Sequence, residues 1–453
     1  MNVYKSFSST LRSPKIYDDF DLRLSALGPF ERRPHLAVAV SGGADSLCLT
    51  LMANHWAVRR GGRVTALIVD HGLRAEARDE AEQVCEWLRL KGINHHILSW
   101  RGEKPVTGLQ AAARNARYNL MCEWCRNACV LHLLVGHTQD DQAETFLLRL
   151  NKGSGAEGLS AMAEIRETPS VRLLRPLLGV SKTDLRVVLK GEGQKWIEDP
   201  SNRDTTFARV RVRQAMLDGW FDTEALAQSA SRFGRVRLAL ETSVCQLLAC
   251  SARIHPAGFA VLNSKEIFSS HGEIGTRALG RVISAIGGNS FIPRMKKLER
   301  LSKDLSDNIS GHAGFLARTL GGCRVIVGNG IYRGTILICR EVRGLPKPLW
   351  IEKSNRLVWD RRFQIQFSST IQPGSRLAAL GEPGWLEITS NNPELRNCEI
   401  PRPARFALPA LFDKKGVYSV PHLGFLKSNG PPDIKNIQFS PPNSISRVGF
   451  FLR

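Results

Sequence analysis

Two short stretches of this sequence carry residue types that could do chemistry together. The first is Ser41-Gly42-Gly43-Ala44-Asp45-Ser46. Glycines lack a Cβ, so a backbone built from them turns tightly and can approach phosphate oxygens closely. The N–H groups of such a loop, and of the helix it opens, then point at the anion with the helix dipole behind them. Ser41 and Ser46 add hydroxyl donors. Bare phosphate would repel Asp45, so its expected task is to hold Mg²⁺. The stretch is neither a Walker A loop, since no Gly-Lys-Ser/Thr follows at the required spacing, nor a dinucleotide fingerprint. Taken alone, a Ser/Gly turn at a helix start can equally be a plain cap. The second stretch is Asp140, Asp141 and Glu144, at i, i+1 and i+4 where a helix is expected to start. Asp141 and Glu144 lie three apart and can point one way, toward the strand ends. Asp140 reads as the N-cap, and Asp141 and Glu144 as the acting carboxylates. His137, just before them, can equally be a packed imidazole.

The elements that must position these residues alternate. His35 to Val40 reads as a buried strand, with a helix from Leu47 onward, and Val64 to Val69 as a second strand. Ala81, Val84, Cys85 and Leu88 then repeat at i, i+3, i+4 and i+7, as on a helix that buries one face. Ile93–Leu98 is a third strand, 109–125 an alanine-rich helix, and Val130–Val135 a fourth strand with a helix after it. Such alternation predicts an α/β, doubly wound parallel sheet with helices on both faces, whose ligands bind beyond the carboxyl ends of the strands. After about residue 215 the pattern changes. Residues 222–305 read as mostly helical, 314–340 as short strands joined by glycine turns, and the remainder as a small β-rich domain. The expected division is an N-terminal extension (1–30), the α/β domain (31–216), a mainly helical middle domain ending in short strands (217–342) and a C-terminal domain (343–453).

A chain of 453 residues is too long for one ordinary core. Lys plus Arg number 63 against 42 Asp plus Glu, a formal net charge of +21 with a pI near 9.9. That excess favours a polyanionic partner, because phosphate contacts release condensed counterions. No polybasic block adjoins an amphipathic anchor, so nucleic acid is expected and membrane is not. No apolar run reaches the roughly 20 residues that cross a bilayer. No signal peptide is recognisable either, so the expected location is the cytoplasm. The 10 cysteines do not suggest a disulfide framework. Cys122, Cys125 and Cys129 fall on one face of the predicted helix, where they read as small hydrophobes.

Ser-Gly-Gly-x-Asp-Ser after a first strand resembles the PP-loop of the ATP pyrophosphatases. Further blocks narrow the resemblance: Val69-Asp-His-Gly-Leu-Arg74, Leu109 to Arg114 continuing into Ala116-Arg117-Tyr118, and Gly136 to Thr145. Arg175-Pro-Leu-Leu178, Trp196-Ile-Glu-Asp-Pro-Ser-Asn202 and Phe207-Ala-Arg209-Val-Arg211-Val-Arg213 complete the set. In that order, over residues 35 to 215, they resemble the tRNA(Ile)-lysidine synthetases. Weaker similarity continues through Thr319–Cys323 and 411–424. The chain departs from many relatives at His137-Thr138, where they have paired histidines. It departs again at Arg209-Val-Arg-Val-Arg213, where they have Arg-Asn-Arg-Ile-Arg.

The resemblance implies that free lysine is joined to C2 of the wobble cytidine of a CAU-anticodon isoleucine tRNA. ATP supplies a leaving group that a ring carbonyl oxygen lacks. The C2 oxygen attacks the α-phosphate and pyrophosphate departs; the lysine amine then attacks C2 and AMP departs. The first step is electrostatic work, implied to fall to the loop of Ser41, Gly42, Gly43, Ala44, Asp45 and Ser46. Mg²⁺ would be held by Asp45 and Asp141, with Arg114 or Arg117 on the α-phosphate; the alternative for both arginines is a solvated helix face. In the second step, an amine of pKa about 10.4 is neutral in about one molecule per thousand near pH 7. Asp141 or Glu144 would serve as its general base. Arg209, Arg211 and Arg213, at i, i+2 and i+4, share a face if the segment is extended, and would meet the tRNA backbone or the nucleotide. The basic later domains would grip the tRNA by phosphates and shape. Oligomeric state is left open, a homodimer included. The nearest rival is a PP-loop tRNA thiolase, which needs positioned cysteines such as Cys122 and Cys125. A second is a non-catalytic RNA-binding protein, which would have had no reason to keep Asp45, Asp141 and Glu144.

Overall fold

The computed structural model describes residues 14–72, 76–102, 104–105, 107–168, 170–198, 205–206, 208–309, 317–351, 356–368, 374–427 and 434–445. Leu73-Arg74, Asp199 to Asn202 and Phe207, which belong to blocks quoted above, lie outside them. The chain forms two compact units, one reaching Ala239 and the other spanning Leu240–Arg447.

The first unit runs α1 (Pro14–Ala26), β1 (His35–Val40), α2 (Ala44–Val58), β2 (Arg63–Asp70), α3 (Glu76–Leu90), β3 (Asn94–Ser99), α4 (Leu109–Asn127) and β4 (His132–Leu134). It continues through α5 (Gln139–Leu150), α6 (Ala156–Leu159), β5 (Ile165–Glu167), β6 (Arg172–Leu174), α7 (Lys182–Gly191) and α8 (Ala208–Leu217) into α9 (Thr223–Ser251). The sheet order is β3-β2-β1-β4-β6-β5. Every pairing is parallel except β5 with β6, an antiparallel edge. Period-two alternation along the strands builds a core on each face. Leu36, Val38 and Val40 join α1, α2, α3 and α7 on one side. Ala37 and Leu67 join Met121 and Cys125 of α4 on the other. Strand order reverses between β1 and β4, so the crevice beyond their carboxyl ends is where such a sheet binds ligands. The loops after β1 and β4 are the two stretches singled out from the sequence.

The second unit opens with the hairpin β7 (Ala252–His255) and β8 (Phe259–Asn263), then α10 (Ser264–Ser269), α11 (Gly272–Ile286) and α12 (Met295–Ile309). The strands β9 (Arg318–Leu320), β10 (Cys323–Val327) and β11 (Thr335–Arg340) complete an antiparallel sheet ordered β7-β8-β11-β10-β9. The hairpin interrupts a stretch, 222–305, that is otherwise mostly helical, as expected. Pro256 and Gly258, the latter at φ 79°, make a turn that pairs His255 with Phe259. Helical periodicity on both sides hides so short an interruption.

Thereafter come β12 (Leu349–Trp350), β13 (Arg356–Trp359), β14 (Phe363–Phe367), β15 (Arg376–Ala379), α13 (Gly381–Asn391) and α14 (Arg402–Arg405). The chain then forms β16 (Pro409–Asp413), β17 (Gly416–Val420), β18 (Phe425–Leu426) and β19 (Ile434–Phe439). They make two further antiparallel sheets, β12-β15-β16-β17-β18 and β13-β14-β19. Three buried charges of the unit form one cluster. Asp360 accepts from Arg340 at 3.0 Å and from Arg362 at 2.6 Å. It fixes the β13–β14 turn, where Asp360 and Arg361 both take positive φ.

Candidate active site

The loop after β1 owes its shape to its glycines. Gly42 sits at φ 81°, and a Cβ there would come within 2.8 Å of Val84 and 3.0 Å of Ile197. The Ile197 N–H donates to the Gly42 carbonyl at 2.9 Å, laying the Trp196-Ile197 segment along the loop. Gly43 is the N-cap of α2 and has no side chain to satisfy the first-turn N–H groups, which therefore remain available to an anion. Ser46 is buried. Its hydroxyl donates to the Gly43 carbonyl at 2.9 Å and accepts from the Ser41 N–H at 3.2 Å, so it shapes the loop. The Ser41 side chain, on an exposed residue, is the freer hydroxyl. At Gly136, just after β4, a Cβ would stand 3.2 Å from the Asp45 carbonyl and from Ser46 Cα. The two loops touch, and glycine is what lets them approach without a shift.

Asp45, in the first turn of α2, has its carboxyl pushed up to about 6. Burial is the main cause; Asp141 and Asp140 push the same way, against Lys182 and Arg186. Neither a hydrogen bond nor an ion pair to this carboxylate is found among the described residues. A half-buried, uncompensated oxygen donor beside a phosphate-binding loop fits a hard divalent cation.

Helix α5 begins differently from the sequence expectation. Its N-cap is Thr138, not Asp140, and Asp141 closes the capping box. Asp141 Oδ2 accepts from the Thr138 N–H at 2.9 Å. Its other oxygen, Oδ1, faces Lys182 Nζ at 3.3 Å and Arg209 Nη2 at 3.5 Å. Burial raises this carboxyl, but Lys182, Arg209 and the Thr138 N–H together hold it below the ordinary carboxylate range. Asp140 instead accepts from the backbone N–H of Lys182 at 2.9 Å, tying α5 to the start of α7. His137 is neutral: burial, then Arg175, drives its imidazole down to about 3.

Glu144 is 1% exposed and accepts from Arg209 Nε at 2.6 Å and Arg213 Nε at 2.8 Å, with Lys182 Nζ at 3.7 Å. The arginine segment is the helix α8, which corrects the extended reading. Arg209 and Arg213, four apart, share the face toward α5. Arg211 turns back to the carbonyls of Thr205 and Thr206 at 2.8 and 2.9 Å. Arg114 and Arg117 lie exposed on α4. Arg114 rests over the Tyr118 ring, and Arg117 donates to Nε2 of His71, at the carboxyl end of β2, at 3.2 Å. Burial and Arg117 keep that imidazole below its ordinary value.

Lys182, at the centre of the carboxylates, is the residue that motif reading missed. Its signal was local: Ser181 caps α7 by accepting from the Asp184 N–H at 3.1 Å, a pattern that places Lys182 at a helix start. Cys122 and Cys125 are not poised as thiolates. Burial pushes the Cys125 thiol up to about 12 and raises Cys122 as well. Cys129 lies beyond the end of α4, exposed and at φ 54°, which corrects the shared face.

A glycine loop after the first strand of a parallel sheet, an acid in the next helical turn and no Walker lysine define a PP-loop nucleotide-binding domain. Residues 17–219 match the family description "PP-loop domain". A tRNA(Ile)-lysidine synthase from Ruegeria pomeroyi is 33% identical over 86% of this chain and 88% of its own. One from Hyphomonas neptunium is 37% identical over 68% and 82%. One from Bradyrhizobium diazoefficiens is 48% identical over 46% of this chain and 59% of its own length. The chain belongs to the tRNA(Ile)-lysidine synthase family. Among solved structures, the U34-tRNA thiolase NcsA of Methanococcus maripaludis aligns with 49% of this chain and 80% of its own, at 15% identity and a TM-score of 0.43. That likeness is too distant to bear on activity.

Proposed function

We propose that this protein uses ATP to join lysine to C2 of the wobble cytidine of a CAU-anticodon isoleucine tRNA. The observation that carries the reading is the union of two sites. A phosphate-binding loop with an uncompensated carboxyl at Asp45 adjoins Asp141 and Glu144, between which a primary ammonium already sits.

In the first step the cytidine C2 oxygen attacks the α-phosphate of ATP, the bond to pyrophosphate breaks, and an adenylated base forms. The N–H groups of the Gly42-Gly43 loop and the first turn of α2 bind the departing phosphates. Asp45, assisted by Asp141, would hold Mg²⁺, which would supply further neutralisation of phosphate charge. Arg114 and Arg117 extend from α4, with Arg117 steadied by neutral His71. In the second step the amine attacks C2 and AMP leaves. Asp141 receives the amine and takes its proton. Glu144, both oxygens engaged by guanidinium groups, fixes Arg209 and Arg213 against α5 and completes the negative seat. Lys and Arg outnumber the acids by 21 over the whole chain. In this reading residues 343–453 grip the tRNA, with 217–342 as the intervening domain. No helix among the described residues is long and apolar enough to cross a membrane. A cytoplasmic setting accords with a tRNA substrate. The raised thiols of half-buried Cys122 and buried Cys125 give no support to a sulfur-transfer alternative.

The test is incorporation of radiolabelled lysine into CAU-anticodon isoleucine tRNA, with and without ATP. ATP-dependent labelling that disappears when the wobble cytidine is replaced is the expected result. Pyrophosphate release without lysine incorporation would overturn the reading.

A further inference from the structure

The ammonium between Asp141 and Glu144 belongs to the protein. Lys182 Nζ lies 3.3 Å from Asp141 Oδ1 and 3.7 Å from Glu144 Oε1. A substrate lysine offers the same group, a primary ammonium on a four-carbon stem, so both cannot occupy one seat. The way Lys182 is held permits exchange. Its backbone is fixed, because its N–H donates to Asp140 Oδ2 at 2.9 Å. Among the described residues its head group is held only by carboxylates, and its side chain is 21% exposed. A flexible lysine stem can therefore swing while its Cα stays in place. The phosphate-binding loop is close by: it packs against Gly136, just ahead of α5, whose Asp141 holds the ammonium.

We propose that Lys182 is an internal occupant of the amine seat, and that nucleotide phosphates draw it toward the loop and open the seat to substrate lysine. The inference rests on the functional reading above. It makes Lys182 a positioning residue and orders the reaction: ATP binding comes first and raises affinity for lysine, so the nucleophile enters only when a leaving group can be made. Coupling of this kind is reciprocal, so lysine tightens nucleotide binding by the same factor.

The experiment is calorimetric titration of the full chain with L-lysine, with and without a non-hydrolysable ATP analogue and Mg²⁺. Wild type, Lys182→Met and Lys182→Arg are compared, after their urea midpoints are shown to agree. The quantity read is the ratio of lysine Kd without nucleotide to that with it. Referring each variant to itself cancels the general rise in affinity that removing a positive charge would cause. In wild type the ratio is expected to be about tenfold or more, equivalent to about 1.4 kcal/mol. It should collapse toward unity in Lys182→Met and persist in Lys182→Arg, which keeps a cation on the same anchor. A ratio unchanged in Lys182→Met, or a wild type that binds lysine equally in both conditions, overturns the proposal. So does a Lys182→Met protein that never binds lysine. Whether wild type still incorporates lysine into tRNA separates that failure from failure of the functional reading.

Discussion

Replacing Asp45 with asparagine should make the ligand-free protein more stable while abolishing pyrophosphate release. The Asp45 carboxyl is pushed from its ordinary 3.8 to about 6, mainly by burial. The folded state therefore binds this proton more tightly than the unfolded chain does. The resulting penalty is absent below about pH 4, grows as pH rises through 6, and is fully present above it. A displacement of about two pH units, at about 1.4 kcal/mol each, sets an upper bound of about 3 kcal/mol at pH 8. Asparagine keeps the shape without the charge and should recover most of it. The assay is urea-induced unfolding of wild type and Asp45→Asn at pH 5 and pH 8, in chelator and without nucleotide. The variant's advantage should be larger at pH 8. An advantage equal at both values, or none at pH 8, would refute the argument that Asp45 is an uncompensated carboxylate awaiting a cation.

Further outcomes follow from the geometry. Glu144→Gln strips the charge partner from Arg209 and Arg213. Because those arginines are about a third exposed, the loss should be about 2–3 kcal/mol by chemical denaturation, below the 3–5 of a fully buried pair, and lysine incorporation should fall sharply. Gly136→Ala places a Cβ about 3.2 Å from the backbone of Asp45 and Ser46, which must shift by a few tenths of an ångström to admit it. It should cost about 1–3 kcal/mol and weaken nucleotide binding, read by titration with an ATP analogue. The double variant Cys122→Ala, Cys125→Ala should keep ATP-dependent lysine incorporation; loss of activity in a folded protein would revive sulfur transfer. Arg211→Ala, whose guanidinium meets only the Thr205 and Thr206 carbonyls within the described residues, should affect turnover less than Arg213→Ala does.

How much of this was legible in the sequence depends on the range of the interaction. The short apolar run ending at Val40 and the glycines at 42 and 43 act over a few residues, so β1, the loop and α2 could be read directly. Asp45, Asp141 and Glu144 were nameable for the same reason, since strand ends and helix starts place them. Tertiary structure decided which of these groups are already engaged. Asp140 was read as a cap for its own helix, but its carboxylate satisfies the N–H of Lys182, 42 residues away. The arginines alternate with valine and would share a face in an extended segment, yet the segment is a helix in which Arg209 and Arg213 both reach Glu144 of α5. The charge on Asp45 depends on burial and on Lys182, neither of which is expressed near it in the chain. Local propensity and spacing thus determined the chemistry's parts list. The electrostatic state of each part was decided by folding, because a charge feels neighbours in space and the loss of water, whatever their separation along the sequence.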